Sequence, residues 1–182
     1  MAESRVTVHM VASLDGYVVD AEGGVGWLET QDTYEDGVER EDPSEALAAI
    51  GCWVIGSKTY EQALALGWPY GDKPTVVLTR RALRSERESV LFRSGDLGQL
   101  FRGELRPTYG QVWVCGGPTL VRELLRQGLV DAVCLTIAPA LVGEGLHFFE
   151  RVGVQRQLHL ESAKAYRSGF VELTYQVLAD QA

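Results

Sequence analysis

The chain contains 182 residues, of which 46% are hydrophobic, 23% charged and 9% aromatic. This length suits one domain, residues 1–182, that buries its own core without disulfides. With 17 Lys and Arg against 25 Asp and Glu, the formal net charge is −8, which argues against binding to a nucleic-acid backbone. No apolar run approaches the roughly 20 residues that span a bilayer, and no secretory signal opens the sequence. We therefore expect a cytoplasmic protein that binds neither membrane nor nucleic acid.

The residues that most often hold metals or act as nucleophiles show no motif. Three cysteines and three histidines are scattered along the chain: Cys52, Cys115, Cys134, His9, His147 and His159. The odd number of cysteines, without CxxC spacing, argues against a disulfide framework and a zinc site. Each cysteine adjoins an apolar run, which predicts a small buried side chain. Without HxxxH, HxE or GxSxG, we expect neither a metal site nor a nucleophilic hydrolase.

The first half of the chain alternates apolar runs with turn residues. Residues 6–12 predict a strand that ends at the turn-prone Ser-Leu-Asp-Gly, and Val18 and Val19 precede a glycine-rich loop at residues 21–26. Residues 31–50 show helical periodicity only near their end. A buried strand at residues 52–55 precedes a predicted helix at residues 59–66, in which Thr59 and Gln62 have the spacing of a capping box.

The second half continues the alternation. Strands are predicted at residues 74–78, 89–92, 111–115 and 130–138, with helices at 96–101 and 119–127 between them. Asp96 is the expected cap of the first helix, while Pro118 and Gly128 mark the two ends of the second. Residues 139–149 are expected to form an irregular loop, and residues 158–163 and 170–178 an antiparallel hairpin. The pattern predicts an α/β fold with a mixed sheet.

Two junctions between a strand and a helix have the composition of phosphate sites. Residues 54–59 read VIGSKT and residues 114–119 read VCGGPT. Glycine permits close approach to the backbone, and the N–H groups of a helix start attract an anion. Neither segment matches GxGxxG or GxxxxGK[ST], and either glycine turn alone could be structural. Arg80 and Arg81 follow a third strand end, where the alternative interpretation is a solvated turn. Ligands of open α/β sheets bind at such strand ends.

The order of VTVHMVASLDGYV, VIGSKTYE, VVLTRR, VWVCGGPTLVRELL and APALVGEGLHFF resembles the dihydrofolate-reductase-like family. The resemblance spans residues 5–178 and is greatest to stand-alone relatives of the reductase domain of bacterial riboflavin-biosynthesis deaminase-reductases. It implies a single twisted mixed sheet of about eight strands flanked by helices, with NADPH bound across strand ends. The zinc deaminase motif of the bifunctional enzymes, H-x-E with P-C-x-x-C, is absent.

The resemblance implies a cofactor role for residues of five segments. On the nicotinamide side these are Met10, Val11 and Ala12, whose backbone meets the carboxamide, and Val18 and Val19 beside the mobile loop. On the phosphate side they are Gly56, Ser57, Lys58 and Thr59 at one helix start, and Gly116, Gly117, Pro118, Thr119 and Leu120 at the other, where relatives often have a cis Gly-Gly bond. Thr79, Arg80 and Arg81 match the loop that receives the adenosine ribose and its 2′-phosphate. The chain departs from the family at Ser57, where many relatives have Arg, and Lys58 is the candidate replacement.

The substrate side rests on two residues. Trp27 matches a family Trp, and Asp32 follows it at the spacing of the carboxylate that orients or protonates pterins in dihydrofolate reductases. The resemblance implies that Asp32 lies on the first helix and faces the nicotinamide. A solvated acid is the alternative for Asp32, and Glu35 and Asp36 compete for its role. Asp15 is interpreted as a turn residue.

The resemblance therefore implies an NADPH-dependent oxidoreductase that delivers a hydride to a small heterocyclic or ribosylaminopyrimidine-type substrate, as in riboflavin biosynthesis. A dihydrofolate or pterin reductase is the alternative enzyme. A nucleotide-binding module without turnover is the alternative outside enzymes, since a fold does not fix a function. The apolar C-terminal strands indicate a homodimer. The resemblance implies the same, because riboflavin-type relatives commonly dimerise.

Overall fold

A computed structural model of the chain describes residues 4–39, 48–149 and 151–179. Its strands are β1 (Arg5–Ser13), β2 (Tyr17–Asp20), β3 (Cys52–Gly56), β4 (Thr75–Leu78), β5 (Val90–Arg93), β6 (Gln111–Val114), β7 (Ala132–Ala138), β8 (Gly145–His147), β9 (Leu158–Ala165) and β10 (Val171–Val177). Its helices are α1 (Ser57–Ala65), α2 (residues 97–109) and α3 (Pro118–Arg126), and a 3-10 turn spans Gly26–Leu28.

Eight of these strands form one sheet in the order β5-β4-β3-β6-β1-β7-β10-β9. The neighbours from β5 to β7 are parallel, whereas β10 runs antiparallel to both β7 and β9. This is the predicted mixed sheet with its C-terminal antiparallel hairpin, and the fold class is confirmed. The expectation of a single sheet is corrected, because β2 and β8 form a second, two-stranded antiparallel sheet.

Strand β3, in the interior of the sheet, is an apolar run because helices cover both of its faces. In β3, Val54 packs into the cluster that contains residues of α2 and α3, and Ile55 packs into the cluster that contains residues of α1. Both side chains are fully buried. Burial of a valine or isoleucine side chain contributes roughly 1.5–3 kcal/mol to the free energy of unfolding.

The capping box predicted at Thr59 and Gln62 is wrong. Helix α1 begins at Ser57, its N-cap is Gly56, and no side chain caps it. Strand β3 continues directly into the helix, so the extended backbone of Gly56 (φ −83°, ψ 167°) occupies the N-cap position. Thr59 therefore lies inside the first turn. The cap predicted at Asp96 is confirmed, because its side chain accepts a 2.8 Å hydrogen bond from the N–H of Gln99.

Two other segments contain more regular structure than the sequence predicts. The helix that begins after Asp96 continues to Tyr109, and its middle, Leu100–Leu105, is wound as a π-helix. The expected irregular loop at residues 139–149 contains β8, which pairs with β2. Strand β8 has three residues, all exposed, so it lacks the apolar signal on which a strand prediction depends.

The segment before β3 is only partly described. Residues 40–47, where the helical periodicity of the sequence begins, lie outside the described residues. Residues 31–39 are not helical, because their backbone donors bind the C-terminal hairpin instead. The N–H of Tyr34 donates to the carbonyl of Arg167, and that of Val38 donates to Ala165. Among the described residues, no helix is both long and apolar enough to cross a membrane.

Candidate functional site

The carboxyl ends of five parallel strands lie along one edge of the large sheet. In sheet order these strands are β4, β3, β6, β1 and β7. Four of the segments selected from the sequence follow these ends: the Gly56 turn, the Gly116 turn, the Arg80 loop and the turn at Asp15. The parallel register therefore brings together residues that are distant in sequence, as expected for the ligand edge of an α/β sheet.

The two glycine turns are in direct contact. The N–H of Gly56 donates a 3.0 Å hydrogen bond to the carbonyl of Gly116, and the N–H of Cys115 donates one of 3.0 Å to Val54. The peptide bond between Gly116 and Gly117 is cis, as the resemblance implies. A Cβ atom added to Gly56 would lie 3.7 Å from the amide nitrogen of Gly117. The three glycines of the two turns therefore lie side by side and form one patch of backbone that carries no side chains.

Two helices, α1 and α3, begin at this glycine patch. Gly56 is the N-cap of α1 and Gly117 is the N-cap of α3, and within the described part of the chain no side chain caps either helix. The first N–H groups of a helix have no partner within it, and the helix dipole makes that end electropositive. Pro118 occupies the first turn of α3, where a missing N–H costs nothing. Two adjacent uncapped N-termini can bind a ligand with two phosphates.

The other predicted residues of the two turns differ in exposure. Lys58 and Thr119 are exposed, whereas Ser57 and Thr59 are half-buried. A Cβ atom on Gly117 would lie 3.7 Å from the hydroxyl oxygen of Thr59, an ordinary contact. Leu120 is half-buried and packs against the apolar cluster, so its side chain supports the turn from below.

Strand β1 leaves part of its backbone open beside the Gly116 turn. It pairs with β6 only as far as Val8, but with β7 as far as Ser13. The N–H of Arg5 donates to Gly110 on the β6 side, and the carbonyl of Val6 accepts from Asp131 on the β7 side. The backbone N–H and carbonyl groups of successive residues point alternately to the two sides of a strand. Those of Val11 therefore point toward the β6 side, beyond Val8, the last residue of β1 that pairs with β6.

Two of the three residues predicted at this strand end present their backbone elsewhere. By the same alternation, the backbone groups of Met10 and Ala12 point toward β7, with which both residues pair. The Met10 side chain instead lies under the Gly116 turn, where a Cβ atom on Gly116 would lie 3.1 Å from the Met10 Cε atom. Gly116 has φ +88°, so it is restricted to glycine by conformation as well as by space.

The two arginines after β4 have different surroundings. The Arg81 guanidinium forms a 2.7 Å ion pair with Glu61 of α1, and the N–H of Arg81 donates to the Thr79 hydroxyl at 3.0 Å. The hydrogen bond from Arg81 lowers the pKa of Glu61, with the charges of Arg81 and Lys58 acting in the same direction. Arg80 is exposed and forms no ion pair within the described ranges. Its cation is therefore available to a ligand.

Val18 and Val19, which precede the glycine-rich loop, lie in β2. Val19 pairs with Leu146 of β8, and Val18 packs against the large apolar cluster. The turn before β2 is held by Asp15, whose carboxylate accepts from the Ser13 hydroxyl and from the N–H groups of Val142 and Gly143.

The carboxylate of Asp15 is stabilised by these donors. The hydrogen bond from Ser13 and those from the backbone of residues 142 and 143 lower its pKa to about 2, against the opposing effect of desolvation. A carboxyl with such a pKa stays ionised at neutral pH, which suits an anchor and not a proton donor. The interpretation of Asp15 as a turn residue agrees with this geometry.

Asp32 does not lie on a helix, which corrects that expectation. It is exposed and irregular, and its N–H donates to the Thr30 hydroxyl at 3.1 Å. Its carboxylate instead lies against the backbone of Gly169, in the turn of the C-terminal hairpin, beside Pro139. Since Pro139 directly follows β7, Asp32 still lies near the same sheet edge. Trp27 is in the 3-10 turn, half-buried, and its Nε1 atom has no hydrogen-bond partner among the described residues.

The sheet order separates Asp32 from the glycine turns by one strand. Pro139 follows β7 and Gly116 follows β6, and β1 lies between these strands. Strands are spaced about 4.8 Å apart, so β6 and β7 lie roughly 10 Å apart across β1. By the strand register Gly116 lies level with Met10 and Pro139 level with Leu14, so Pro139 is also about 13 Å further along β1. Val11 lies between the two positions.

Thr136 is a buried polar residue at this edge that no sequence motif marks. It is 1% exposed, and its hydroxyl oxygen has no hydrogen-bond partner in the described part of the chain. It pairs with Val11, so it lies beside the open strand end. Threonine is common in strands, and VCLTIA reads as an ordinary buried strand, so no sequence signal identified it.

The thiols supply no nucleophile at this edge. Burial raises the pKa of Cys115, directly before Gly116, and raises that of Cys52 to about 12. Both thiols are therefore protonated at neutral pH. Cys52 is buried as predicted, while Cys115 is half-buried.

Comparison with known proteins supports the resemblance. The family model of the RibD C-terminal domain matches residues 4–171. The uncharacterized protein YwjB of Bacillus subtilis (strain 168) is 26% identical over 176 residues, which cover 95% of this chain and 98% of YwjB.

Solved structures share the fold at low sequence identity. A provisionally assigned riboflavin biosynthesis protein of Shewanella sp. PV-4 has a TM-score of 0.81 and 20% identity, covering 96% of this chain and 99% of that one. A Thermotoga maritima diaminohydroxyphosphoribosylaminopyrimidine deaminase/5-amino-6-(5-phosphoribosylamino)uracil reductase has a TM-score of 0.70 and 14% identity, covering 97% of this chain and 57% of that one. Enterococcus faecalis dihydrofolate reductase complexed with NADP(H) has a TM-score of 0.60 and 16% identity, covering 96% and 97%. The dihydrofolate-reductase-like fold is thereby confirmed.

Proposed function

Because this chain belongs to the family of RibD C-terminal domains, we propose that it is an NADPH-dependent reductase of a small heterocyclic or ribosylaminopyrimidine-type substrate. Membership supports an oxidoreductase, and the Thermotoga relative of the same fold is itself named as a reductase. The observation that supports cofactor binding most strongly is the hydrogen bond between Gly56 and Gly116. It joins two helix N-termini that no described side chain caps, beside the Val11 backbone, which pairs with no described strand on the β6 side.

The residues at this edge fit the chemistry of a dinucleotide. The helix starts at Gly56 and Gly117 would receive the pyrophosphate, whose charge is complementary to their free N–H groups. The N–H and carbonyl of Val11 would bind the carboxamide of the nicotinamide, which has one acceptor and one donor group. When bound, the nicotinamide ring supplies a hydride.

The preference for NADPH is assigned to Arg80. A guanidinium binds a phosphate group through two parallel hydrogen bonds, and Arg80 is free to do so. Arg81, which the sequence pairs with it, is held by Glu61. Its role is to fix the loop after β4 against α1. Lys58 lies exposed in the first turn of α1, the helix that contains Glu61, and adds positive charge there.

The substrate is proposed to bind between the nicotinamide position and Asp32. Reduction of a C=N or C=O group places the hydride on carbon and a proton on nitrogen or oxygen. Asp32, or a water that it orients, would bind the polar edge of the substrate and deliver that proton. The unpartnered Nε1 atom of Trp27 is an additional polar group for this pocket among the described residues.

The chain is also proposed to form a homodimer in the cytoplasm. Among the described residues, β9 has one strand neighbour, β10, and Val38 binds its other edge at the C-terminal end, where the N–H of Val38 donates to Ala165. Leu158 and Leu160 of β9 are 44% and 48% exposed, and an exposed apolar edge strand is typical of a pairing surface. Three free cysteines are typical of a reducing compartment.

The proposal is tested by NADPH oxidation with three substrates offered separately: 5-amino-6-(5-phosphoribosylamino)uracil, dihydrofolate and a flavin. We expect saturable NADPH binding and turnover of the ribosylaminopyrimidine. Turnover of dihydrofolate alone would support the pterin reductase. Binding of NADPH with no turnover of any compound would support a nucleotide-binding module and contradict the proposed reaction.

A further inference from the structure

Three side chains with different metal-binding groups meet on one face of the large sheet. They are His9 of β1, Cys134 of β7 and Glu172 of β10, and their ligand atoms all lie within 4.8 Å of one another. The sheet register produces this arrangement. His9 is paired with Cys134, and Glu172 is paired with Thr136, two residues along β7 on the same face.

The cluster, which we define as His9, Cys134 and Glu172, lies in a partly enclosed environment. Cys134 is 4% exposed, while His9 and Glu172 are half-buried, so an ion could enter from one side. The ring of Trp113 lies 5.3 Å from that of His9 and supports it laterally. Lys164 of β9 is paired with Glu172 and is the cation nearest to it in the register.

The donor set matches a specific class of ion. Zn²⁺ and its neighbours bind thiolate sulfur at about 2.3 Å, imidazole nitrogen at about 2.0–2.1 Å and carboxylate oxygen at about 2.0–2.2 Å. Tetrahedral coordination at these lengths separates the ligand atoms by roughly 3.3–3.6 Å. The three ligand atoms lie within 4.8 Å of one another, and binding would bring them to that spacing by rotation of the side chains. Ca²⁺ and Mg²⁺ are disfavoured because they require oxygen ligands.

We propose that His9, Cys134 and Glu172 form a binding site for a divalent transition-metal ion of the zinc class, with water as the fourth ligand. The site is additional to the proposed reductase function and independent of it. Metal binding displaces the thiol proton of Cys134. The ion links β1, β7 and β10 and therefore stabilises the folded chain.

A second observation points to the same place. The buried hydroxyl of Thr136, which has no hydrogen-bond partner within the described residues, lies on the same face as Cys134 and opposite Glu172. Groups around a metal site commonly bind the carboxylate ligand or the metal-bound water. The sequence predicts no metal site because the three ligands lie on strands far apart in the chain, where spacing motifs carry no signal.

The test uses the full chain, freed of metal by a chelator and titrated with Co²⁺. We expect one Co²⁺ per chain, an intense near-ultraviolet band from charge transfer between thiolate and cobalt, visible bands typical of four-coordinate cobalt, and displacement by Zn²⁺. Cys134→Ala should abolish the charge-transfer band, and Glu172→Gln should weaken Co²⁺ binding by about tenfold or more. Cys52→Ala, on the opposite face of the sheet, is the matched control and should retain the band.

Two results would overturn the proposal. One is the absence of the thiolate band from the wild-type chain at stoichiometric Co²⁺. The other is unchanged Co²⁺ affinity in Glu172→Gln. Glutamine keeps the size and half-buried position of the side chain, and circular dichroism verifies that this variant folds. Neither result depends on whether Cys134→Ala folds, and neither depends on NADPH turnover.

Discussion

The amide of Gly56 donates a 3.0 Å hydrogen bond to the carbonyl of Gly116, and these two residues are sixty positions apart in the sequence. This bond fixes the N-terminus of α1 beside that of α3, so that two electropositive helix ends share one glycine-lined surface. The proposed binding of the cofactor pyrophosphate depends on this arrangement.

Arg80 is expected to distinguish NADPH from NADH. Arg80→Ala removes the exposed guanidinium that has no ion pair in the described chain, so NADPH affinity should fall by about tenfold or more. NADH affinity should change little, because NADH has no 2′-phosphate. Titration of both nucleotides into wild type and variant measures the effect.

The control for this change is Arg126→Ala, at the opposite end of α3 from the glycine turn. It alters net charge equally and should leave the ratio of the two affinities unchanged. An equal loss of NADPH and NADH affinity in Arg80→Ala would show that this residue does not bind the 2′-phosphate.

Asp32 is expected to act on the substrate and not on the cofactor. Asp32→Asn keeps the size of the side chain but removes its charge and its acidity. NADPH affinity should be unchanged, and the rate of substrate reduction should fall by about 10²-fold or more, the usual share of general acid catalysis. Single-turnover kinetics at saturating NADPH provide the measurement.

Asp36→Asn and Glu35→Gln are matched controls, since both residues are exposed acids of the same segment. If reduction in Asp32→Asn proceeds at the wild-type rate, the role of this carboxylate is wrong. A fall in either control would then identify the acid that replaces it.

Asp15 is expected to make stability depend on pH. Its pKa in the folded chain, about 2, lies below the ordinary value of 3.8, so the ionised form is favoured by folding. Its contribution to the free energy of unfolding is therefore present above pH 3.8 and is lost as the pH falls toward 2. Asp15→Asn should lower the urea midpoint at neutral pH, and the difference from wild type should shrink across that window. A difference independent of pH would contradict the assignment.

The outer edge of β9 is expected to pair with a second copy of the chain. Light scattering should give twice the chain mass for the wild type. Leu160→Lys places a charge on this edge and should shift the mass toward that of one chain. His159→Lys, at an exposed neighbouring position of β9, tests whether any added charge has this effect. A wild-type mass equal to one chain over a wide concentration range would exclude the dimer.

The sequence predicted the sheet better than it predicted the ends of the helices. Buried parallel strands such as β3 read as apolar runs, and the hairpin of β9 and β10 is separated by a clear turn at residues 167–169. The spacing of Thr59 predicts a cap, but β3 continues directly into α1, so the last strand residue, Gly56, is the N-cap. Composition alone does not show that continuity.

Tertiary contacts determine the rest of the candidate site. The glycine turns were selected from the sequence because glycine after a strand has a local meaning. Arg80 and Arg81 differ in their proposed roles because Glu61 of α1 forms an ion pair with Arg81. The segment of Asp32 is not helical because its backbone N–H groups donate to carbonyls of the C-terminal hairpin. In a helix these N–H groups would donate within the segment. Spacing along the chain carries no information about such partners.

The most direct measurement is the affinity for NADPH of Gly117→Ala, with thermal melting of the same sample. Gly117 has φ −76°, and an added Cβ would lie 3.7 Å from the Thr59 hydroxyl, so the variant should melt as the wild type does. The same Cβ should obstruct approach of the pyrophosphate to the backbone and weaken NADPH binding by more than tenfold, or about 1.4 kcal/mol. Equal NADPH affinity in a folded Gly117→Ala, or no saturable binding by the wild type, would contradict the account.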